Sequence, residues 1–109
     1  MALDDVVKPS SSEERIIEAN QRTIRWIDRC ITAHTNTAKQ NLFGIVQGGV
    51  DLEQRKYCLD EMVKRDLPGY AIGGLAGDEL KDDFWKIVDY CTSILPKDKP
   101  RFNSIRVGI

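Results

Sequence analysis

The sequence predicts an α/β fold with a parallel sheet, built as three strand–helix units followed by a terminal strand. Two observations carry this. Helical apolar periodicity recurs in three separate stretches, and short apolar segments without that period stand before, between and after them. Such alternation implies parallel strands joined by helical crossovers. The spacing of the units suits either a doubly wound sheet or part of a (β/α)8 barrel.

The elements follow in order. Ala2 to Val6 reads as the tail of a first strand. "PSSSE" at 9–13 reads as a turn and helix start, with Ser11 and Glu14 at capping-box spacing and Ser10 with Glu13 as the alternative frame. Ile16, Ile17, Asn20, Ile24, Ile27 and Ile31 then recur at helical intervals, Trp26 and Cys30 widen the face, and the helix is predicted to run to about His34. Residues 41–47 suit a short strand buried on both faces. Asp51 and Gln54 form a second capping box, opening a helix with Leu52, Arg55, Leu59, Met62 and Val63 that Pro68-Gly69 ends. "YAIGG" at 70–74 is the next strand. Phe84, Ile87, Val88, Cys91 and Leu95 mark a third helix ended near Pro96, and a last strand is predicted around 101–108.

Composition narrows the function classes. The chain has 109 residues, 41% hydrophobic and 30% charged, which suits one soluble globular domain. A net charge of -1 excludes a strongly basic nucleic-acid footprint, though not a local basic patch. No apolar run approaches the roughly 18 residues of a membrane span, and the N-terminus lacks a signal-peptide pattern. Cys30, Cys58 and Cys91 lie far apart within the predicted helices, without metal-ligand spacing, and read as packing thiols in a reducing, cytoplasmic setting. His34, the single histidine, reads as a helix-end cation or an exposed side chain. Trp26, Phe84 and Trp85 read as packing residues.

The glycine-rich segments are not phosphate motifs. "FGIVQGGVD" at 43–51 lacks the lysine and Ser/Thr of a P-loop, and "GGLAG" at 73–77 lacks the GxG start of a dinucleotide fingerprint. Position is the remaining pattern. Asp4 and Asp5, Gln47, and Gly73-Gly74-Leu75 each fall where a strand ends, the place where α/β folds bind ligands. An ionised Asp accepts two adjacent N–H donors on a purine edge such as guanine's. A Gln amide or a glycine N–H donates to a carbonyl. Taken alone, the pattern is also what plain strand-end turns would present.

The segments "LDDVV" (3–7), "RWIDRCITAH" (25–34), "KQNLFGIVQGGVD" (39–51), "KRDLPGYAIGGLAGDE" (64–79) and "LPKDKPRF" (95–102) together resemble the middle of the tRNA-guanine transglycosylase family, in its eukaryotic queuine tRNA-ribosyltransferase form. The resemblance implies a partial (β/α)8 TIM barrel, about three βα units plus a terminal strand, with residues 1–109 as part of the barrel domain and the zinc subdomain absent. It implies a pentosyltransferase that exchanges guanine for queuine at the tRNA wobble position through a covalent aspartyl intermediate. Asp4 then matches the aspartate on the purine N1 and amine edge, and Gln47 the glutamine on the base carbonyl, with Gly74 adding a backbone N–H. Leu75 matches the position facing the base substituent, and Glu79 the carboxylate that steadies that peptide. Gly77 stands where bacterial members usually carry valine, leaving room for queuine's cyclopentenediol. Asp5 is outside the matched set and reads as a solvated loop carboxylate.

The departures are as definite. The family's nucleophilic aspartate sits in an "FDCVxPTR" segment that does not occur here, its second catalytic aspartate would precede Met1, and its zinc-binding Cys-x-Cys-x-x-Cys is missing. After Phe102 the family reads "LMGVG", whereas this chain reads "NSIRVGI". The expectation is therefore a fragment that holds base-recognition residues without the nucleophile and is inactive alone. The alternative is a non-catalytic binding or regulatory module associating with full-length subunits. The implied partners are the queuine or guanine base, tRNA, and a non-catalytic homologous subunit in a heterodimer. Zinc belongs to the full-length family. The implied setting is cytoplasmic, with association at the mitochondrial outer membrane for the family. Lys97, Lys99, Arg101 and Arg106 form a basic cluster readable either as a solvated loop or as a contact to the tRNA backbone.

Overall fold

Six elements alternate along the chain of the computed structural model: α1 (Glu13–Ala33), β1 (Phe43–Val46), α2 (Leu52–Lys64), β2 (Gly69–Ile72), α3 (Lys81–Ile94) and β3 (Arg101–Asn103). The structure describes residues 4–6, 11–34, 41–74 and 81–103. The three strands form one parallel sheet in the order β1-β2-β3. Phe43 pairs with Gly69 and Val46 with Ile72, while Tyr70 pairs with Arg101 and Ile72 with Asn103. The α/β class and the parallel sheet expected from the alternation are present. Residues 4–6 of the expected first strand are not in a strand. Residues 2 and 3, and 104–108 of the expected last one, lie outside the described residues.

α1 starts one residue later than its capping boxes place it, and neither helix start is reciprocal as a capping box requires. Ser12, not Ser11 or Ser10, caps α1: its Oγ accepts from the Arg15 N–H at 3.2 Å. That frame puts Arg15 rather than a glutamate at the third helical position, so Glu13 and Glu14 serve the first turn through its dipole instead. At α2 the cap is Asp51 as expected, its Oδ1 accepting from the N–H groups of Glu53 (3.0 Å) and Gln54 (3.3 Å). The return half of the box is diverted. Asn20 of α1 donates through Nδ2 to both the carbonyl and the side-chain oxygen of Gln54, each at 3.0 Å, and ties the two helices together.

The end of α2 also differs from expectation. The helix stops at Lys64, and Asp66 takes a left-handed backbone with φ 47. Pro68 and Gly69 therefore do not terminate it, and Gly69 is the first residue of β2. Two ion pairs hold this corner: Asp28 of α1 takes the Arg65 guanidinium at 2.6 and 2.9 Å, and Lys99 reaches the Asp66 carboxylate. Lys99 also stands 5.9 Å over the Tyr70 ring.

Packing follows the strand alternation. Val46, Tyr70 and Ile72 join one buried cluster with Ile24 and Ile27 of α1, Cys58, Leu59 and Met62 of α2, and Ile87 and Cys91 of α3. Ile45 and Ala71 are buried outside that cluster, on the other face of the sheet. All four β2 residues are buried, as a central parallel strand requires. α2 packs against α1, α3 and β1 and is the middle of the helical layer. Cys58 and Cys91 are the core thiols predicted for them. Trp85 is a correction: it is 69% exposed on α3, on the flank turned away from Ile87 and Cys91.

Leu59 and Leu52 share α2 but not its burial, since Leu59 is inaccessible and Leu52 is 47% exposed. Leu59→Ala is expected to lower unfolding stability by about 2–5 kcal/mol, and Leu52→Ala by less than about 0.5 kcal/mol, in urea titrations. Equal losses at the two sites would show that the core is not where the buried cluster lies.

Candidate functional site

β1 delivers Gln47 to the carboxyl end of the sheet, where the next two residues turn the chain into α2. Gly48 has φ 137, and a Cβ there would stand 2.7 Å from the Arg55 backbone nitrogen, so glycine is required on both counts. Gln47 is 1% exposed. Its backbone N–H donates to Cys58 Sγ at 3.3 Å, and burial pushes that thiol up to about 11, so sulfur stays neutral and serves as an acceptor.

The Gln47 side chain reaches back across the chain and donates through Nε2 to Asp4 Oδ2. A carboxylate only accepts, which fixes the nitrogen of the amide toward it. Burial raises the Asp4 carboxyl above its ordinary range, and the Gln47 hydrogen bond opposes that rise. The amide's other end, Oε1, is buried with no hydrogen-bond partner. Beside this pair runs the end of β2. The Gly73 N–H donates to the Val46 carbonyl at 3.0 Å, and Gly74 follows with φ 75. A Cβ on Gly73 would stand 2.7 Å from Ile45 Cγ2 and 3.0 Å from Gln47 Nε2, and one on Gly74 would strike Gln47 Oε1. Both glycines let the backbone lie directly against the amide. Asp4, Gln47 and Gly74, named separately from strand-end positions, are thus brought together. Leu75, Gly77 and Glu79 lie outside the described residues.

Arg55 is the residue that reading the sequence missed. It is fully buried, and its guanidinium donates from Nε to the Gly49 carbonyl at 2.7 Å and from Nη1 to the carbonyls of Val46 (3.0 Å) and Gly73 (2.8 Å). One side chain therefore grips the ends of β1 and β2 and the turn after β1. The available signal was an arginine inside the apolar stripe of Leu59 and Met62, a position that a solvated side chain would not occupy.

Asp5 corrects another reading. Its side chain, 12% exposed, is not a solvated loop carboxylate. Arg15 binds it bidentately at 2.8 and 2.9 Å, Arg22 adds a third contact at 2.8 Å, and its backbone N–H donates to Thr23 Oγ1 at 3.0 Å. The Arg15 and Arg22 hydrogen bonds hold its carboxyl below the ordinary range against the cost of burial. Of the basic cluster, Lys99 is engaged by Asp66, Arg101 donates to the Thr92 carbonyl at 3.2 Å, and Arg106 lies outside the described residues.

Among the described residues no group of His, Cys, Asp and Glu could hold a metal ion, and no helix is long and apolar enough to cross a membrane. The architecture and this cluster define an α/β protein with a buried polar cluster at the carboxyl ends of a parallel sheet. The family model described as queuine tRNA-ribosyltransferase matches residues 1–106, and the chain belongs to that family. Over 102 residues, 94% of this chain, it is 54% identical to the queuine tRNA-ribosyltransferase catalytic subunit of Schizosaccharomyces pombe and 48% identical to that of Caenorhabditis elegans. The queuine tRNA-ribosyltransferase of Ruminiclostridium cellulolyticum is 41% identical over the same length. The chain spans 25% of each of the two eukaryotic relatives and 27% of the bacterial one.

The Asp5 clamp gives a signed pH dependence. Its folded carboxyl titrates below its unfolded one, so the clamp's stabilisation is complete above the unfolded value and disappears as pH falls through the folded value. Asp5→Asn is expected to lower the melting temperature at neutral pH, with the gap to the native chain closing as pH falls below the ordinary carboxylate range. Melting curves across that range check it; a gap independent of pH would mean that the carboxylate charge is not what holds Arg15 and Arg22.

Proposed function

We propose that this chain supplies the base-reading wall of a queuine tRNA-ribosyltransferase, with its sheet forming an arc of a (β/α)8 barrel. The observation that carries the reading is the direct Gln47–Asp4 hydrogen bond beside the Gly73–Gly74 backbone. A side-chain amide donor next to a carboxylate acceptor is complementary to a lactam edge, in which a carbonyl stands next to an N–H. Gln47 Nε2 has two hydrogens, so one remains for a base carbonyl while the other holds Asp4. Asp4 has acceptor capacity left for the N1–H and exocyclic amine of guanine or a 7-deazaguanine. Gly74 adds its N–H to the same carbonyl. Adenine presents the opposite polarity and is rejected, because buried polar groups would be left unpaired.

The chemistry so served is replacement of guanine by queuine at the wobble position of tRNA. An aspartate outside these residues attacks the ribose C1′, guanine leaves, and the incoming base displaces the covalent enzyme. Leu75 would face the base substituent, Glu79 would steady that peptide, and Gly77 would leave space for a cyclopentenediol. The partners are tRNA and, in the full-length protein, a non-catalytic homologous subunit. Zinc, which the family implies, finds no ligand set among the described residues, and no step here runs through it.

Calorimetric titration tests the reading. Guanine is expected to bind and adenine not to; absence of guanine binding to the folded chain sinks the proposal. Asp4→Asn and Gln47→Ala are each expected to weaken guanine binding about tenfold or more, the scale of one hydrogen bond to a charged group. Asp4 is raised above its unfolded value, so its charged form weighs against folding at neutral pH. Asp4→Asn should therefore weaken guanine binding without lowering the melting temperature.

A further inference from the structure

We propose that Arg55 is the positioning residue of this site, setting the Gly73–Gly74 peptide so that the Gly74 N–H is presented to the carbonyl of a bound lactam base. The inference rests on the base-reading function above. Gly73 C=O and Gly74 N–H belong to one peptide unit, and no cis peptide bond occurs among the described residues. In a trans peptide these two groups point in opposite directions from one plane. Fixing the carbonyl therefore fixes the N–H, and Arg55 Nη1 fixes that carbonyl at 2.8 Å.

The same Nη1 holds the Val46 carbonyl at 3.0 Å, and that carbonyl shares its peptide with the Gln47 N–H, which runs the other way to Cys58 Sγ. The two peptides that flank the site are thus pinned by one nitrogen. Nε holds Gly49 at 2.7 Å, which stops the guanidinium from turning about its own bond. Gly74 needs such support because its backbone, at φ 75, has no side chain to hold it. A cation on the carbonyl also polarises the peptide and strengthens its N–H as a donor. Lysine carries the same charge but not the planar fork, so it cannot hold three carbonyls in this geometry.

The test is Arg55→Lys in the full chain, titrated with guanine and with 6-thioguanine. The thio analogue keeps the N1–H and amine read by Asp4 but offers sulfur, a weak acceptor, to Gly74. Guanine affinity is expected to fall roughly tenfold, and 6-thioguanine affinity by less than about threefold. Equal losses for both bases would overturn the proposal, since general loosening of the site has no reason to spare the sulfur analogue. Amide NMR separates this result from failure of the base reading itself. If the native chain binds neither base, a displaced, faster-exchanging Gly74 amide in Arg55→Lys still upholds the positioning role, and an unchanged one overturns it. If the variant does not fold, the native chain decides: the Arg55 Nε–H signal must move together with Gly74 when guanine is added, and a Gly74 shift without it overturns the proposal.

Discussion

The structure depends on one buried charge. An arginine with no solvent exposure is tolerable only where its donors are taken up, because an unpaired cation in the interior costs several kcal/mol. Here the acceptors are the carbonyls of Val46, Gly49 and Gly73. The Val46 carbonyl already accepts from the Gly73 N–H and takes Arg55 as a second donor, while those of Gly49 in the turn and Gly73 at the end of β2 take Arg55 as a donor. The arginine's Nε and Nη1 thus meet the strand ends and the turn between them. That exchange explains why α2 must start directly after the Gly48–Gly49 turn: only then does its first full turn bring Arg55 under both strands. Asp51 enforces the start by capping, and Asn20 holds Gln54 from the neighbouring helix.

The glycines follow from the same constraint. With Arg55 drawing two strand ends together, the space between the Gln47 amide and the end of β2 leaves no room for a Cβ at Gly73 or Gly74. A side chain at either place would separate the strands or push the amide off Asp4. The site is therefore built from backbone and one amide, with α2 as its brace. Cys58 completes the brace by accepting the Gln47 N–H, a weak bond that the neutral thiol makes without bringing a second charge near Arg55.

Much of this was legible before the structure. Alternating helical and non-helical apolar runs gave the α/β class and three of the strands, since burial pattern alone decides them. The end of α2 was misread because Pro68-Gly69 is a strong breaker in sequence, whereas Asp66, with its Lys99 partner, turns the chain first. The N-cap of α1 was misplaced among three consecutive serines, which local spacing cannot rank. Gln47 and the Gly73–Gly74 pair are legible from their positions after strands, whereas Asp4 is separated from Asp5 only by the family resemblance, since residues 4–6 are not in a strand. In sequence Arg55 is one more member of a helix stripe. Its role is tertiary: the three carbonyls it joins come from two strand ends and a turn, and no local pattern encodes their meeting. Asp5 was misjudged for the same reason, its arginines lying ten and seventeen residues away.

The adjacent aspartates show how one dipeptide is divided between structure and recognition. Asp5 takes both nearby arginines and is held ionised by them. Asp4, one residue earlier, is paired with no cation among the described residues, and its partner is a neutral amide. Had either arginine reached Asp4, its carboxylate would be saturated by charge-assisted bonds and closed to weaker donors. By occupying the arginines, Asp5 leaves Asp4 as a half-buried acceptor whose remaining lone pairs have no strong competitor. Such a carboxylate is costly to keep charged, because burial raises it above the ordinary carboxylate range. In the proposed base-reading role, neutral N–H donors would relieve that cost, so binding would gain energy at Asp4 that a pre-neutralised carboxylate could not release. If Asp4 reads a base as proposed, Asp5 would set the strength of that contact without touching the base.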